Sequence, residues 1–251
     1  MATEYKAGSQ HWIYRSTGQG SMRVIDNNQI NGLLSEGSRF SASKRADAED
    51  FARTCRVDLS CSFSCTGKPT DAITEYCGEV YCTWLSEMAG KVVVKVVDVD
   101  SGRFPVFDIL SCIDNEGLVN KALFDTNGGF SKAVLQVLDQ EYAFSRNILL
   151  IDLLELLPQA RGYGLSKVIL ELLVSRLRQS CRIALVKPFP LQHEKSRSSA
   201  KNEWASRMHY DYFTRDFNKG LSKLEHLYES AEFQRIENSC YMVRDLSLEI
   251  Y

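Results

Sequence analysis

The stretch from Asn147 to Leu177 constrains the fold of this chain more than any other. It opens on Ile148-Leu149-Leu150-Ile151-Asp152-Leu153-Leu154, an apolar run within Asn147 to Leu157, bounded by Pro158, whose length fits a buried strand. It closes on Leu165, Val168, Ile169, Leu172, Leu173 and Leu177, which recur at helical spacing. Arg176 and Arg178 put positive charge where the helix dipole is negative. At 3.6 residues per turn, this spacing predicts a helix of about four turns. Between the two lies Gln159-Ala160-Arg161-Gly162-Tyr163-Gly164-Leu165-Ser166. Gly162 and Gly164 carry no Cβ, so backbone amides there can approach a ligand. A strand that feeds a glycine turn and then a helix N-terminus makes an anion site. Its successive N–H groups suit a pyrophosphate, each contact worth about 1.5–3 kcal/mol as a hydrogen bond to a charged group.

Three pyrophosphate-binding patterns compete for this turn. A dinucleotide fingerprint needs a third Gly or Ala where Lys167 stands, and an acidic residue about 20 residues on, where Val186-Lys187 lies. Both conditions fail. A Walker loop needs G-x4-G-K-[ST], and neither glycine is spaced for it. Coenzyme A is the best remaining ligand.

Composition sets the outer bounds. A chain of 251 residues, 44% hydrophobic and 25% charged, can bury one sizeable core. Thirty basic against 32 acidic residues leave a formal net charge of −2, with no bulk attraction to nucleic acid or an anionic membrane. The start, Met1-Ala2-Thr3-Glu4-Tyr5-Lys6, lacks the basic-then-apolar order of a signal peptide, and the longest apolar runs are about half of what spans a bilayer. The expectation is a soluble, cytoplasmic protein whose eight cysteines are reduced. Cys61, Cys65, Cys77 and Cys82 form C-x3-C and C-x4-C pairs eleven residues apart. The usual zinc knuckle is C-x2-C, so these are expected to be buried thiols packing in a sheet, with no metal.

Along the chain, residues 1–42 read as an irregular N-terminal extension with a short strand at Trp12-Ile13-Tyr14, and residues 43–251 as a single domain. A short helix is expected over Ser43 to Cys55, then strands over Arg56 to Phe63 and Glu79 to Leu85. Gly90 is read as a turn, joining the latter antiparallel to the strand Lys91 to Val99. About 101–147 is read as an insertion covering one sheet face, and Gln192 to Asn202, rich in Ser and Lys, as a mobile loop.

Pro158-Gln159-Ala160-Arg161-Gly162-Tyr163-Gly164 resembles the Q/R-x-x-G-x-G/A signature of the GNAT superfamily of acyl-CoA N-acyltransferases. There the signature joins the fourth strand to the long central helix, and its amides, here Arg161 to Ser166, wrap the coenzyme A pyrophosphate. Arg182-Ile183-Ala184-Leu185-Val186 followed by Lys187-Pro188-Phe189-Pro190-Leu191-Gln192 is similar to a fifth strand and exit loop of bacterial GNAT-like proteins. Lys223 to Ile236 resembles the family's last helix running into its sixth strand, with Ser222 and Glu225 read as a capping box. The family's usual glycine before Phe233 is Glu232 here, which implies a left-handed glutamate costing around 1 kcal/mol. The resemblance covers roughly Val92 to Leu246. It implies an α/β fold of the α+β type: a mostly antiparallel, splayed sheet flanked by helices, with an insertion before the fourth strand.

The implied activity is transfer of an acetyl group from acetyl-CoA to a primary amine of a small molecule or protein, without metal. Leu156, Gln159, Ala160, Arg161, Gly162, Tyr163, Gly164, Leu165 and Ser166 are the implied coenzyme contacts. Tyr228 is the implied proton donor to the departing thiolate. Asp152, a lone carboxylate in an apolar run, is the first candidate for the base, and Glu155 the second. Trp204, Met208 and Tyr212, at i, i+4, i+8, with Tyr210, Phe213 and Phe217, are read as a wall of the acceptor pocket or as core. His193, Lys195, Arg197 and Lys201 are read as reaching a ribose phosphate, an acidic acceptor or only solvent. A coenzyme-binding or protein-interaction module without catalysis is the alternative, and a homodimer is left open. Nucleic-acid modification would need a basic groove with interleaved aromatics, a composition that only Lys187 to Arg215 approaches, and it ranks below both readings.

Overall fold

The computed structural model describes residues 4–7, 10–13, 20–24, 55–114, 117–138, 145–194 and 203–247. Strands β1 (Glu4–Ala7) and β2 (Gln10–Ile13) pair antiparallel. An eight-stranded sheet follows. It is built from β3 (Gly20–Val24), β4 (Cys55–Phe63), β5 (Ile73–Cys82), β6 (Met88–Val97), β7 (Ile148–Leu156), β8 (Ile183–Val186), β9 (Gln234–Arg235) and β10 (Met242–Asp245). Their order across the sheet is β3-β4-β5-β6-β7-β8-β10-β9. Every pairing is antiparallel except β7 with β8, which is parallel and connected through a helix. The protein is therefore of the α+β type, with a mostly antiparallel open sheet.

Gly90 behaves unlike its reading from sequence, and Gly78 shares its role. Gly90 makes no turn; it lies within β6, and a Cβ there would stand 2.4 Å from the Glu155 carbonyl oxygen of β7. Gly78 lies within β5, where a Cβ would meet Val92 at 2.5 Å and Leu59 at 2.6 Å. These glycines serve the close approach of neighbouring chains. Accordingly β5 starts at Ile73 rather than Glu79, and the hairpin reverses over 83–87.

Alternation along the strands gives the sheet two covered faces. On one, Leu149, Ile151, Ala184, Val186 and Met242 pack under α4 (Leu165–Leu177) and α6 (Phe217–Ser230). On the other, Ile148, Leu150, Ile183, Leu185 and Val243 pack under α1 (Val106–Ser111), α2 (Leu118–Leu123) and α3 (Lys132–Leu135). These short helices of the 101–147 segment reach the sheet through Ile109, Leu110, Leu123 and Val134. A further short helix, α5 (Glu203–Arg207), packs Trp204 beside Leu157 and Met208.

Helix α6 begins earlier than the Ser222–Glu225 capping box implies. Asp216 is its N-cap and accepts from the Lys219 N–H at 3.1 Å, which leaves Ser222 inside the helix. The expected burial of four cysteines also needs correction: Cys82 is buried, Cys61 half-buried, and Cys65 and Cys77 exposed. Cys77 and Cys82 lie an odd number of residues apart on one strand, so the pleat turns them to opposite faces. Among the described residues, no group of three or more His, Cys, Asp or Glu is arranged to hold a metal ion, and no helix is long and apolar enough to cross a membrane. Of the helix expected over Ser43 to Cys55, residues 43–54 lie outside the described residues and Cys55 opens β4 instead; of the loop expected over Gln192 to Asn202, residues 195–202 lie outside them. Within that loop's start, Leu191–His193 forms a 3-10 turn.

Candidate functional site

Strand β7 changes character halfway. Ile148–Ile151 pairs with β6 on one side and with Ile183–Val186 of β8 on the other. The register with β6 then slips: Val94 opposes Ile151 and Val93 opposes Leu153, which makes Asp152 the extra residue of a bulge. A bulge bends its strand and ends regular pairing. Beyond it, Leu153–Leu156 stays on β6 while β8 gives way to the Lys187–Gln192 segment. A cavity of about 330 Å³ fills the split. Its walls come from both faces of the sheet: Ser166, Leu224 and Tyr228 from the α4–α6 side, Met208, Tyr210 and Phe213 from the other.

The glycine turn stands at this cavity. Gly162 and Gly164 have φ of +85° and +75°, the left-handed region that favours glycine. A Cβ at either would meet open space, so it is conformation and not crowding that calls for glycine. Among the described residues, the N–H groups of Gly162, Gly164, Leu165 and Ser166 donate to no backbone carbonyl, whereas that of Arg161 already donates to Pro158 at 3.2 Å. The side chains of Ala160 and Leu165 are buried and anchor the turn, leaving only their backbone for a ligand; Gln159 and Tyr163 are exposed.

The Arg161 side chain turns toward the opposite wall. Its Nε donates to the Leu156 carbonyl at 2.7 Å and its Nη2 to the Met208 carbonyl at 2.8 Å, with the guanidinium 4.3 Å over the Phe213 ring. Burial pulls its pKa down, against the opposing pull of Tyr210 and Glu155. Arg161 thus ties the glycine turn to the aromatic segment 210–213.

The two candidate acids differ sharply. Asp152 is largely exposed and accepts from Lys95 Nζ at 2.7 Å, and that ammonium also lies 3.7 Å from Glu75. Glu155 is only 2% exposed. It accepts from Trp204 Nε1 at 2.9 Å and from the Tyr210 hydroxyl at 2.5 Å. Paired opposite Lys91, it points away from the α4–α6 face. A buried carboxylate persists only when such partners replace its water.

Tyr228, on the last turns of α6, is buried and edge-on to Phe233 at 5.8 Å. Burial pushes its phenol up to about 12. The turn after it is held by Arg244 of β10, which donates to Glu171 at 2.8 Å and to the Ala231 carbonyl at 3.1 Å, and pairs with Glu232 at 3.0 Å. Glu232 is left-handed, with φ of +64°.

Of the residues singled out from sequence, Asp152, Glu155, Leu156, Arg161, Ser166 and Tyr228 line one cavity, and Gln159, Ala160, Gly162, Tyr163, Gly164 and Leu165 form the turn beside it. Met208, Tyr210, Tyr212 and Phe213 also line it, while Trp204 supports it through Glu155. Phe189 and Lys223, named from sequence only as members of the exit loop and the last helix, also join the lining. His193 packs edge-on to Phe217 at 5.4 Å, outside this lining; Lys195, Arg197 and Lys201 lie outside the described residues.

Fold and site together define an α+β protein whose sheet splits beside a glycine turn at a helix N-terminus. No protein-family model, curated protein or solved structure matches the chain.

Proposed function

We propose that this protein is a GNAT-type N-acyltransferase that moves an acetyl group from acetyl-CoA to a primary amine. The observation that carries the reading is the juxtaposition of the open glycine turn with a cavity cut through the sheet between β7 and β8. That geometry lets a phosphate-bearing donor arrive from one face and a nucleophile from the other.

Acetyl-CoA supplies the thioester carbonyl. The amides of Gly162 to Ser166 hold its pyrophosphate, and the apolar walls Ile151, Leu154 and Leu224 take the thiol arm. The N–H groups on the open edge of Leu153–Leu156 polarise the carbonyl. The amine attacks, the C–N bond forms, the C–S bond breaks, and the amine's proton passes to Glu155 through the Tyr210 hydroxyl. Asp152, held at the surface by Lys95, is not given the role of base. A phenol near 12 facing a thiol of ordinary pKa near 8.5 makes full proton transfer uphill by about 5 kcal/mol. Tyr228 therefore acts as a hydrogen-bond donor to the leaving sulfur, and solvent supplies the proton that completes the thiol.

Calorimetric titration of acetyl-CoA into wild type and Gly162→Asp tests the reading. Micromolar binding lost in the variant, followed by thiol release with an amine, is the expected result. Binding without turnover by any amine favours a coenzyme-binding module, and no binding to wild type removes the proposal.

A further inference from the structure

The cavity's second wall, on the face away from α4 and α6, points to the class of acceptor; the inference rests on the transferase reading. Seven large apolar side chains are exposed among the described residues. Four gather around the cavity's opening: Tyr212 and Phe213 on this wall, Phe189 in the lining beyond β8, and Phe217, the first residue of α6, edge-on to Phe189 at 5.8 Å. Single exposed aromatics are ordinary; a group of them around one opening marks a binding surface.

These rings are held in place before any ligand arrives. Tyr212, 73% exposed, lies flat on His209, with centroids 5.1 Å apart and planes 9° from parallel. Phe213 carries the Arg161 guanidinium, and Tyr210 is fixed through its hydroxyl to Glu155. The polarity is graded with depth: the carboxylate is at the floor, 2% exposed, and the rings are at the rim. A ligand that fits this gradient has its amino group inward and a flat apolar body outward.

Charge narrows the class further. The charged side chains in the lining are the cations Arg161, Lys187 and Lys223 and the acids Asp152 and Glu155. Asp152 is already matched by Lys95. A second ammonium on the acceptor would face like charge with no spare carboxylate, which opposes polyamines and lysine-rich peptides.

We propose that the acceptor is an arylalkylamine, a monoamine whose ring seats against Tyr212 and Phe213 while its nitrogen reaches the Tyr210 hydroxyl held by Glu155. Phenethylamine, putrescine and a lysine-containing peptide are the probes, with thiol release measured at saturating acetyl-CoA. The expected result is a kcat/KM for phenethylamine about tenfold or more above the other two. Tyr212→Ala raises its KM about fivefold with kcat little changed, and Tyr212→Phe restores it. Equal or better use of putrescine or the peptide overturns the proposal, as does indifference to Tyr212→Ala. If no amine turns over, titration of phenethylamine into the coenzyme A complex decides. Binding that Tyr212→Ala abolishes upholds the aromatic seat, and no binding overturns it. Failure of acetyl-CoA itself to bind removes the transferase reading, while phenethylamine binding to the free protein still tests the seat.

Discussion

The two halves of β7 belong to one continuous strand and have opposite tasks. Ile148–Ile151 is hydrogen-bonded to neighbours on both sides and buried on both faces, as parallel strands covered by helices are. Leu153–Leu156 has a strand partner on one side only and lines a cavity on the other. One residue, Asp152, separates core from site. The sheet is thus opened by an insertion in register and not by a loss of apolar character, since the second half still carries three leucines in four residues.

The largest effect is expected where the first half is cut. Leu149 is fully buried, so Leu149→Ala should cost about 2–5 kcal/mol, against about 1 kcal/mol for Leu153→Ala in the half-buried second half. Urea unfolding of the two variants measures the contrast, and equal costs would erase the distinction between the halves.

Alkaline unfolding probes the dry side of the split. The Tyr228 phenol, at about 12 in the fold against an ordinary 10, keeps its proton while the unfolded chain loses it. Its contribution is complete below about pH 10 and is lost as pH rises toward about 12, a change of about 3 kcal/mol. Unfolding of wild type and Tyr228→Phe across that window should show this part of the alkaline slope in wild type alone.

Deleting Asp152 tests the bulge directly. Without it Leu153 follows Ile151 in regular alternation, so apolar residues keep their faces while the bend is removed. The chain should still fold, with acetyl-CoA affinity down about tenfold or more as the split closes. Undiminished affinity would show that the bulge does not hold the cavity open. The smallest change is expected from Lys95→Ala, which removes the partner of an exposed Asp152 and should alter stability by less than about 1 kcal/mol.

Much of this was readable from sequence because it is local. The apolar run, the glycine turn, the helix after it and the left-handed Glu232 all depend on residues within a few positions of one another, and each lies where local chemistry put it. Asp152 and Glu155 show the limit. From sequence Asp152 was the first candidate for the base and Glu155 the second, with nothing to tell their burial apart; the structure exposes Asp152 beside Lys95 and buries Glu155 under Trp204 and Tyr210. Gly90 shows it again, a turn by composition and a close approach to Glu155 in the sheet.

Local propensity and periodicity therefore determined that a strand, a turn with open amides and a helix stand in this order. Tertiary structure alone decided where the strand bulges, which acid is buried and which rings surround it. The physical reason is that strand register and burial are set by partners distant in the chain, here Lys91 and Val94 of β6, Val186 of β8 and the 204–213 segment, whose pairing with β7 no local pattern encodes.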